Sequence, residues 1–252
     1  MPCATIDPMQ SNNFSELRPK IVLGVAAHPD DLDFGSAGTM AAFAAQGAQV
    51  HYLILTDGSK GSADYKASPI ELAKTREAEQ RAALKVIGSS EKNVEFLGYP
   101  DGELEVTLDL KRDIVRSIRK IRPDVVVTMD PSVLYSPKRG FINHPDHRAA
   151  GQATLDAVFP LARDHMSFPD LFAKGYKPHK VKTILLTNFE QHNYYVDISG
   201  VIDKKISALK AHASQVPDID LVEERIKQWS ASLGEEAGLK NAEAFMRIDI
   251  GG

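Results

Sequence analysis

The chain first becomes regular at Lys20. Lys20-Ile-Val-Leu-Gly-Val-Ala-Ala27 is an unbroken run of β-branched and small apolar residues, the pattern of a strand covered on both faces. It stops at His28-Pro-Asp-Asp31. Ala37 to Gln46 then reads as a helix closed by Gly47, since glycine suits the position just past a helix end. Gln49 to Thr56 reads as a strand, and the Gly-rich loop Asp57-Gly-Ser-Lys-Gly-Ser62 follows. Apolar positions near a 3.6 period predict a helix over Pro69 to Ile87, with Gly88 beyond it. Asn93 to Leu97 predicts a short strand, Leu108 to Ile121 a helix ended by Arg122-Pro123, and Asp124 to Met129 another buried strand. The long loop Asp130 to Asn143 leads to a helix over Pro145 to Phe159 and a looser stretch to Lys180. Strands at Val181 to Thr187 and Tyr194 to Ile198 precede helices at Val201 to Ala213 and Ile219 to Gly234.

Strands alternate with helices over the first two thirds of the chain. That order predicts right-handed βαβ units, hence an α/β, Rossmann-like fold with a mostly parallel sheet and helices on both faces. No change of composition splits the 252 residues. A chain of this length buries roughly 73% of its surface on folding, enough for one core. The expected organisation is a flexible arm over residues 1–19 and a single domain over residues 20–252. In such sheets ligands bind beyond the carboxyl ends of the strands, which directs attention to the residues after each strand.

Composition narrows the partners. The apolar fraction is 43%, the charged fraction 25% and the net charge −4, which argues against a general nucleic-acid binder. No apolar run approaches the ~20 residues of a spanning helix, and the polar start lacks the pattern of a secretory signal. The single cysteine, Cys3, forms no internal disulfide, so a reducing, cytoplasmic compartment is expected.

Two strand ends carry the chemistry. His28-Pro29-Asp30-Asp31 follows the first strand, and His144-Pro145-Asp146-His147 closes the long loop. Both contain His-Pro-Asp; shuffling this composition yields roughly 0.035 copies of such a tripeptide. The first and fourth residues of each motif are three apart, which places them on one side of a turn or first helical turn. Pro145 suits the first helical position. Two imidazoles and one carboxylate with an open position are typical of catalytic zinc, whose bound water has a pKa of roughly 7. Asp30, adjacent to Asp31 but pointing elsewhere, suits a general base. His144 can donate to a developing oxyanion, and Asp146 can hold a histidine in its tautomer. The Asp57 to Ser62 loop lacks the glycine and lysine spacing of a phosphate-binding P-loop.

These motifs resemble those of the PIG-L/LmbE-like zinc-dependent deacetylases. Ala27-His-Pro-Asp-Asp31 with Gly35 and Gly38-Thr39, and His144-Pro-Asp-His147, match the two signature motifs. Leu55 to Gly61, Arg76 with Glu79, Phe96 to Gly102, Pro123 to Val127 and Ala211-His-Ala-Ser-Gln215 fit in the same order. The pattern is closest to the branch acting on N-acetylglucosamine-type sugars and chitobiose. The resemblance implies one zinc per chain, held by His28, Asp31 and His147. It makes Asp30 the general base, His144 the oxyanion stabiliser or acid, and Arg76 and Asp101 the residues gripping sugar hydroxyls. It also implies a small amino-sugar substrate, release of acetate, and a homo-oligomer, trimer or hexamer. The chain departs from the pattern at Leu32, where many members have Glu, and at Phe141-Ile142-Asn143, where some have Tyr.

Three other readings compete. An amidase of a thiol-sugar conjugate would use the same metal on a different bond. A metal-dependent phosphoesterase would need two ions about 3.5–4 Å apart. A non-enzymatic sugar- or nucleotide-binding module would share the fold alone.

Overall fold

The computed structural model describes residues 16–137, 139–188 and 190–251. Most of the arm expected over residues 1–19 lies outside the described residues. Strand β1 (Ile21–Ala26) shows why the sheet is covered on both sides. Val22 and Ala26 enter one apolar cluster, while Leu23 and Val25 enter another, because successive side chains of a strand point to opposite faces. β2 (Gln49–Thr56) and β4 (Val125–Met129) divide their residues between the same two clusters.

The first cluster lies under α1 (Asp31–Ala45), α2 (Pro69–Val86) and α6 (Ile202–Ala211). The second lies under α3 (Leu108–Ile121) and α4 (Pro145–Asp156). Helix boundaries follow local chemistry. Ser68 and Thr107 accept backbone N–H groups at the starts of α2 and α3. Arg122 ends α3 in the left-handed region, with Pro123 next.

Among the described residues, seven strands form the main sheet, in the order β3–β2–β1–β4–β7–β9–β8, with β3 at Val94–Tyr99, β7 at Thr183–Thr187, β8 at Tyr194–Asp197 and β9 at Ala242–Asp249. The pairs β3·β2, β2·β1, β1·β4 and β4·β7 are parallel; β9 runs antiparallel between β7 and β8. The expected mostly parallel, doubly covered sheet is therefore present. From β1 the chain passes to the face of α1; from β4 it passes by way of the long loop to α4 on the other face. The connections leaving the carboxyl ends of β1 and β4 thus diverge to opposite faces at the switch point, where α/β sheets bind ligands.

Several expectations need correction. β9 was not expected. The first helix begins at Asp31 rather than Ala37, because Asp31 and Asp33 in its first turn complement the positive end of the helix dipole. The helix from Pro145 stops at Asp156. Phe159, whose backbone is extended, precedes Pro160, and a residue before proline avoids the helical region. The long loop contains a hairpin, β5 (Tyr135–Ser136) with β6 (Phe141–Ile142), and the looser stretch contains the short α5 (Pro169–Ala173). The last helix, α7, covers Ile219–Ala237.

Candidate active site

The two His-Pro-Asp segments meet across the switch point. Asp31, in the first turn of α1, spans both: its Oδ2 lies 3.4 Å from His28 Nδ1 and its Oδ1 3.1 Å from His147 Nε2. The His28 backbone N–H also donates to Asp31 Oδ2 at 2.8 Å, fixing the carboxylate against the end of β1. Pro145 stands at the start of α4 and His144 is its N-cap, whose Nδ1 accepts the Asp146 N–H. The rings of His28, His144 and His147 form a triangle with centroids 4.9–5.3 Å apart.

The far side of His28 is equally defined. Its Nε2 lies 3.2 Å from Asp101 Oδ1 and 3.2 Å from Asp146 Oδ2. Asp146 is fully buried and also accepts the N–H groups of Gly102 and Leu104. Carboxylates facing both ring nitrogens favour protonation of each; a cation taking Nδ1 would leave the remaining proton on Nε2, between Asp101 and Asp146. Burial works against charge on His28, but Asp101 and Asp31 outweigh it and hold its pKa at about 10. Burial likewise disfavours the Asp31 carboxylate, yet His147 and His28 hold its pKa well below the usual range. Carboxylates placed so as to keep the His28 ring charged also suit a cation. Burial, then His28 and His147, lower the pKa of His144.

Asp30 occupies the turn between β1 and α1 with φ of 93°, a conformation rare for a residue with a Cβ. Burial, seconded by the Asp31 charge, pushes its pKa up to about 7 against the pull of Arg76 and His212. Arg76 is buried on α2; its Nη1 donates to the Gly58 carbonyl and its Nη2 to the Pro29 carbonyl, with Asp30 Oδ2 at 3.5 Å. Gly58, at φ 63°, has no room for a Cβ: one would lie 2.9 Å from Pro29 and 3.2 Å from the guanidinium. Asp101 accepts the Lys60 N–H and faces His28; burial would raise its pKa, but these partners hold it at about 2.

A cavity of about 350 Å³ opens beside Asp31, His144 and His147. Phe34, Met129, Val133 and Phe141 give it apolar walls, and Asp130 and Asn188 line its polar part. Asn188 Nδ2 donates to Asp130 Oδ2 at 2.6 Å. Arg76 and Asp101 do not line it. Sequence reasoning passed over Asp130 and Asn188, although both directly follow strands, and also Gln80, four residues after Arg76 on the same face of α2.

The donor set fits a metal ion. Among the described residues, two groups of side chains bring ligand atoms within reach of one centre, His28 with His144 and His147, and His28 with Asp101 and Asp146. These groups consist of imidazole and carboxylate donors reached from one open side, the pattern of a hydrolytic rather than a structural site. A doubly covered parallel sheet with such a cluster at its switch point, beside an open cavity, defines an α/β enzyme of the metal-assisted hydrolase class.

Comparison with known proteins gives the family. The family model described as GlcNAc-PI de-N-acetylase, PIG-L, matches residues 23–158, more than half of the chain, and the chain belongs to this family of deacetylases. It is 35% identical over 228 residues to the diacetylchitobiose deacetylase of Thermococcus kodakarensis, covering 90% of this chain and 82% of that one. It is 28% identical over 246 residues to a 1D-myo-inositol 2-acetamido-2-deoxy-alpha-D-glucopyranoside deacetylase of Rhodococcus erythropolis, covering 78% and 81%. The structure of N,N'-diacetylchitobiose deacetylase from Pyrococcus horikoshii superposes with a TM-score of 0.83 at 29% identity, covering 92% of this chain and 84% of that one. Enzymes of this family are metal-dependent. Among the described residues no helix is long and apolar enough to cross a membrane.

Proposed function

We propose that this chain removes the N-acetyl group from a small N-acetylglucosaminyl compound, giving a free amine and acetate, with one zinc ion held by His28, Asp31 and His147. The observation that carries the reading is Asp31, whose two oxygens face His28 and His147 from two different strand ends. A zinc ion there would polarise the amide carbonyl and acidify water.

The chain's own groups divide the remaining work. Asp30, held beside that position in a buried turn, takes a proton from the attacking water and returns it to the leaving amine. His144, exposed at the cap of α4 and kept neutral by its surroundings, offers its second ring nitrogen to the charge that develops on the carbonyl oxygen. Asp146 and Asp101 keep the His28 proton on Nε2. In this reading Arg76 acts on Asp30 and the Pro29 turn, and Asp101 on His28, instead of gripping sugar hydroxyls. The names of the relatives support the amino-sugar substrate. A cytoplasmic location, supported by the lone cysteine, and a trimer or hexamer, tested by light scattering, belong to the same proposal.

The deciding experiment combines zinc content with acetate release from N-acetylglucosamine and diacetylchitobiose, for the wild type and Asp30→Ala. One zinc per chain, acetate from the wild type, and a loss of at least ~100-fold in the variant are expected. No bound metal and no turnover after adding zinc would overturn the proposal. Cleavage of a thiol-sugar amide without acetate would favour an amidase.

A further inference from the structure

Asp30 is strained; its carbonyl accepts the N–H groups of Asp33 and Phe34 from its own segment, but its own N–H is held from outside that segment. Its backbone N–H donates to Gln80 Oε1 at 2.9 Å. Gln80 lies on α2, is fully buried, and its Nε2 donates to Asp33 Oδ2 at 2.6 Å. The same oxygen faces His212 Nε2 at 2.8 Å, and Tyr52 donates to the other Asp33 oxygen at 3.4 Å. Asp33 and His212 are both fully buried, and His212 caps the end of α6.

The direction of these bonds matters. An amide side chain has one acceptor and one donor end, and nothing in its shape decides which faces which neighbour. Asp33 as a carboxylate accepts only, so it demands the Nε2 end of Gln80. His212 Nε2 lies 2.8 Å from the same oxygen, so both neighbours meet Asp33 Oδ2 through a nitrogen. The Gln80 oxygen is therefore delivered to the Asp30 N–H, and the reversed amide would set donor against donor and acceptor against acceptor. Such a turn is strained and persists only where its surroundings over-determine it.

We propose that His212, Asp33 and Gln80 form a one-directional buried relay whose task is to hold the Asp30 turn, so that residues on α6, α1 and α2 set the position of the general base. They are positioning residues; none lines the cavity beside the metal ligands. The catalytic part of this inference rests on the reading of Asp30 as the base, whereas the geometric part does not.

The test therefore has two readouts. The first is hydrogen exchange of the Asp30 amide by NMR in wild type and Gln80→Met, a near-isosteric change that removes both hydrogen bonds. Protection at Asp30 falls at least ~10-fold while the strand amides of β1 keep theirs; unchanged protection at Asp30 would overturn the relay. The second is kinetic, with diacetylchitobiose as probe. Gln80→Met lowers kcat by about 10–100-fold, with zinc content retained and KM within about 2-fold. In an Asp30→Asn background the same change has no further effect, because the group it positions is gone. An equal loss in both backgrounds would show a merely structural role and overturn the proposal. A wild-type rate in Asp30→Asn alone would remove the base reading and the catalytic part with it, while the exchange result would still decide the geometry. Should Gln80→Met fail to fold, His212→Gln and His212→Leu carry the test. The amide keeps a donor for Asp33 and retains kcat, and leucine loses about 10-fold; equal rates in the two would overturn the proposal.

Discussion

At the scale of single residues, the site works through carboxylates that face in different directions. Asp31 turns to two histidines, Asp30 to the arginine of α2, Asp33 to a buried histidine and Asp146 to two backbone amides and His28. Asp146 is fully buried, so replacing it with alanine leaves two N–H groups unpaired and frees the His28 ring to turn. Asp146→Ala is expected to weaken zinc binding by about 10–100-fold, read by competition with a chromophoric chelator. Unchanged affinity would mean that the orientation of His28 does not depend on this contact. Asp30, Asp31 and Asp146 were legible as candidates in the two His-Pro-Asp motifs, whereas Asp33 lies outside both. Their division of labour was not legible, because adjacent residues in a turn give no hint of which partner each side chain meets. Arg76 is the clearest instance: the family resemblance implied a sugar contact, and only the fold shows its guanidinium donating to the Gly58 and Pro29 carbonyls.

At the scale of elements, the site depends on how closely α4 sits on β4. A Cβ on Gly151 would lie 2.3 Å from the Met129 carbonyl oxygen, at the end of the strand that leads into the site. Backbone cannot give way as a side chain can. Gly151→Ala is therefore expected to push the helix outward and cost about 1–3 kcal/mol, a fall in Tm of roughly 2–12 °C for a chain of this size. It should also impair metal binding, since α4 carries His144 and His147; calorimetry and zinc titration on the same sample check both. The regular elements were readable because period and punctuation agree: β-branched runs for strands, Gly and Pro at their ends. β9 was missed because Ala-Glu-Ala-Phe-Met-Arg-Ile-Asp mixes polar with apolar positions. Glu243 reaches the buried Lys205 at 2.5 Å and the amides of Gly38 and Thr39, a partnership that no local pattern announces.

At the scale of the whole molecule, two measurements report on the site without assaying turnover. Anything that binds the native state alone stabilises it. Removing the metal with a chelator is thus expected to abolish activity and lower Tm, and added zinc to restore both; a Tm indifferent to chelator and zinc would speak against a bound ion. The second concerns His212, faced by Asp33 and Asp30 on the β1–α1 segment and by Glu79 on α2. Burial would lower its pKa, but Asp33 and these charges raise it above the ordinary value of 6.5. A raised pKa means the folded state binds the proton more tightly than the unfolded chain. The stabilisation is fully present below pH 6.5 and is lost as pH rises through the folded value. The stability gap between wild type and His212→Gln, measured by urea denaturation, should therefore be widest in mild acid and narrow as pH increases. A gap independent of pH would show that the charge on His212 contributes nothing.

Much of this protein was local information. A buried strand followed by His-Pro-Asp-Asp, and a helix opened by His-Pro-Asp-His, are short-range patterns whose chemistry follows from residue type and spacing. The doubly covered sheet follows from the alternation of strands and helices, and with it the rule that places ligands at strand ends. Tertiary structure decided the rest. Only the crossing of the chain from one face of the sheet to the other brings Asp31 between His28 of its own motif and His147, 116 positions further along the chain than Asp31. Only packing turns Arg76 and Asp101 inward, shapes the cavity beside the ligands, and links Asp30 to Gln80 and His212. These contacts join segments far apart in the chain, and their energies depend on burial, which exists only once the fold is complete.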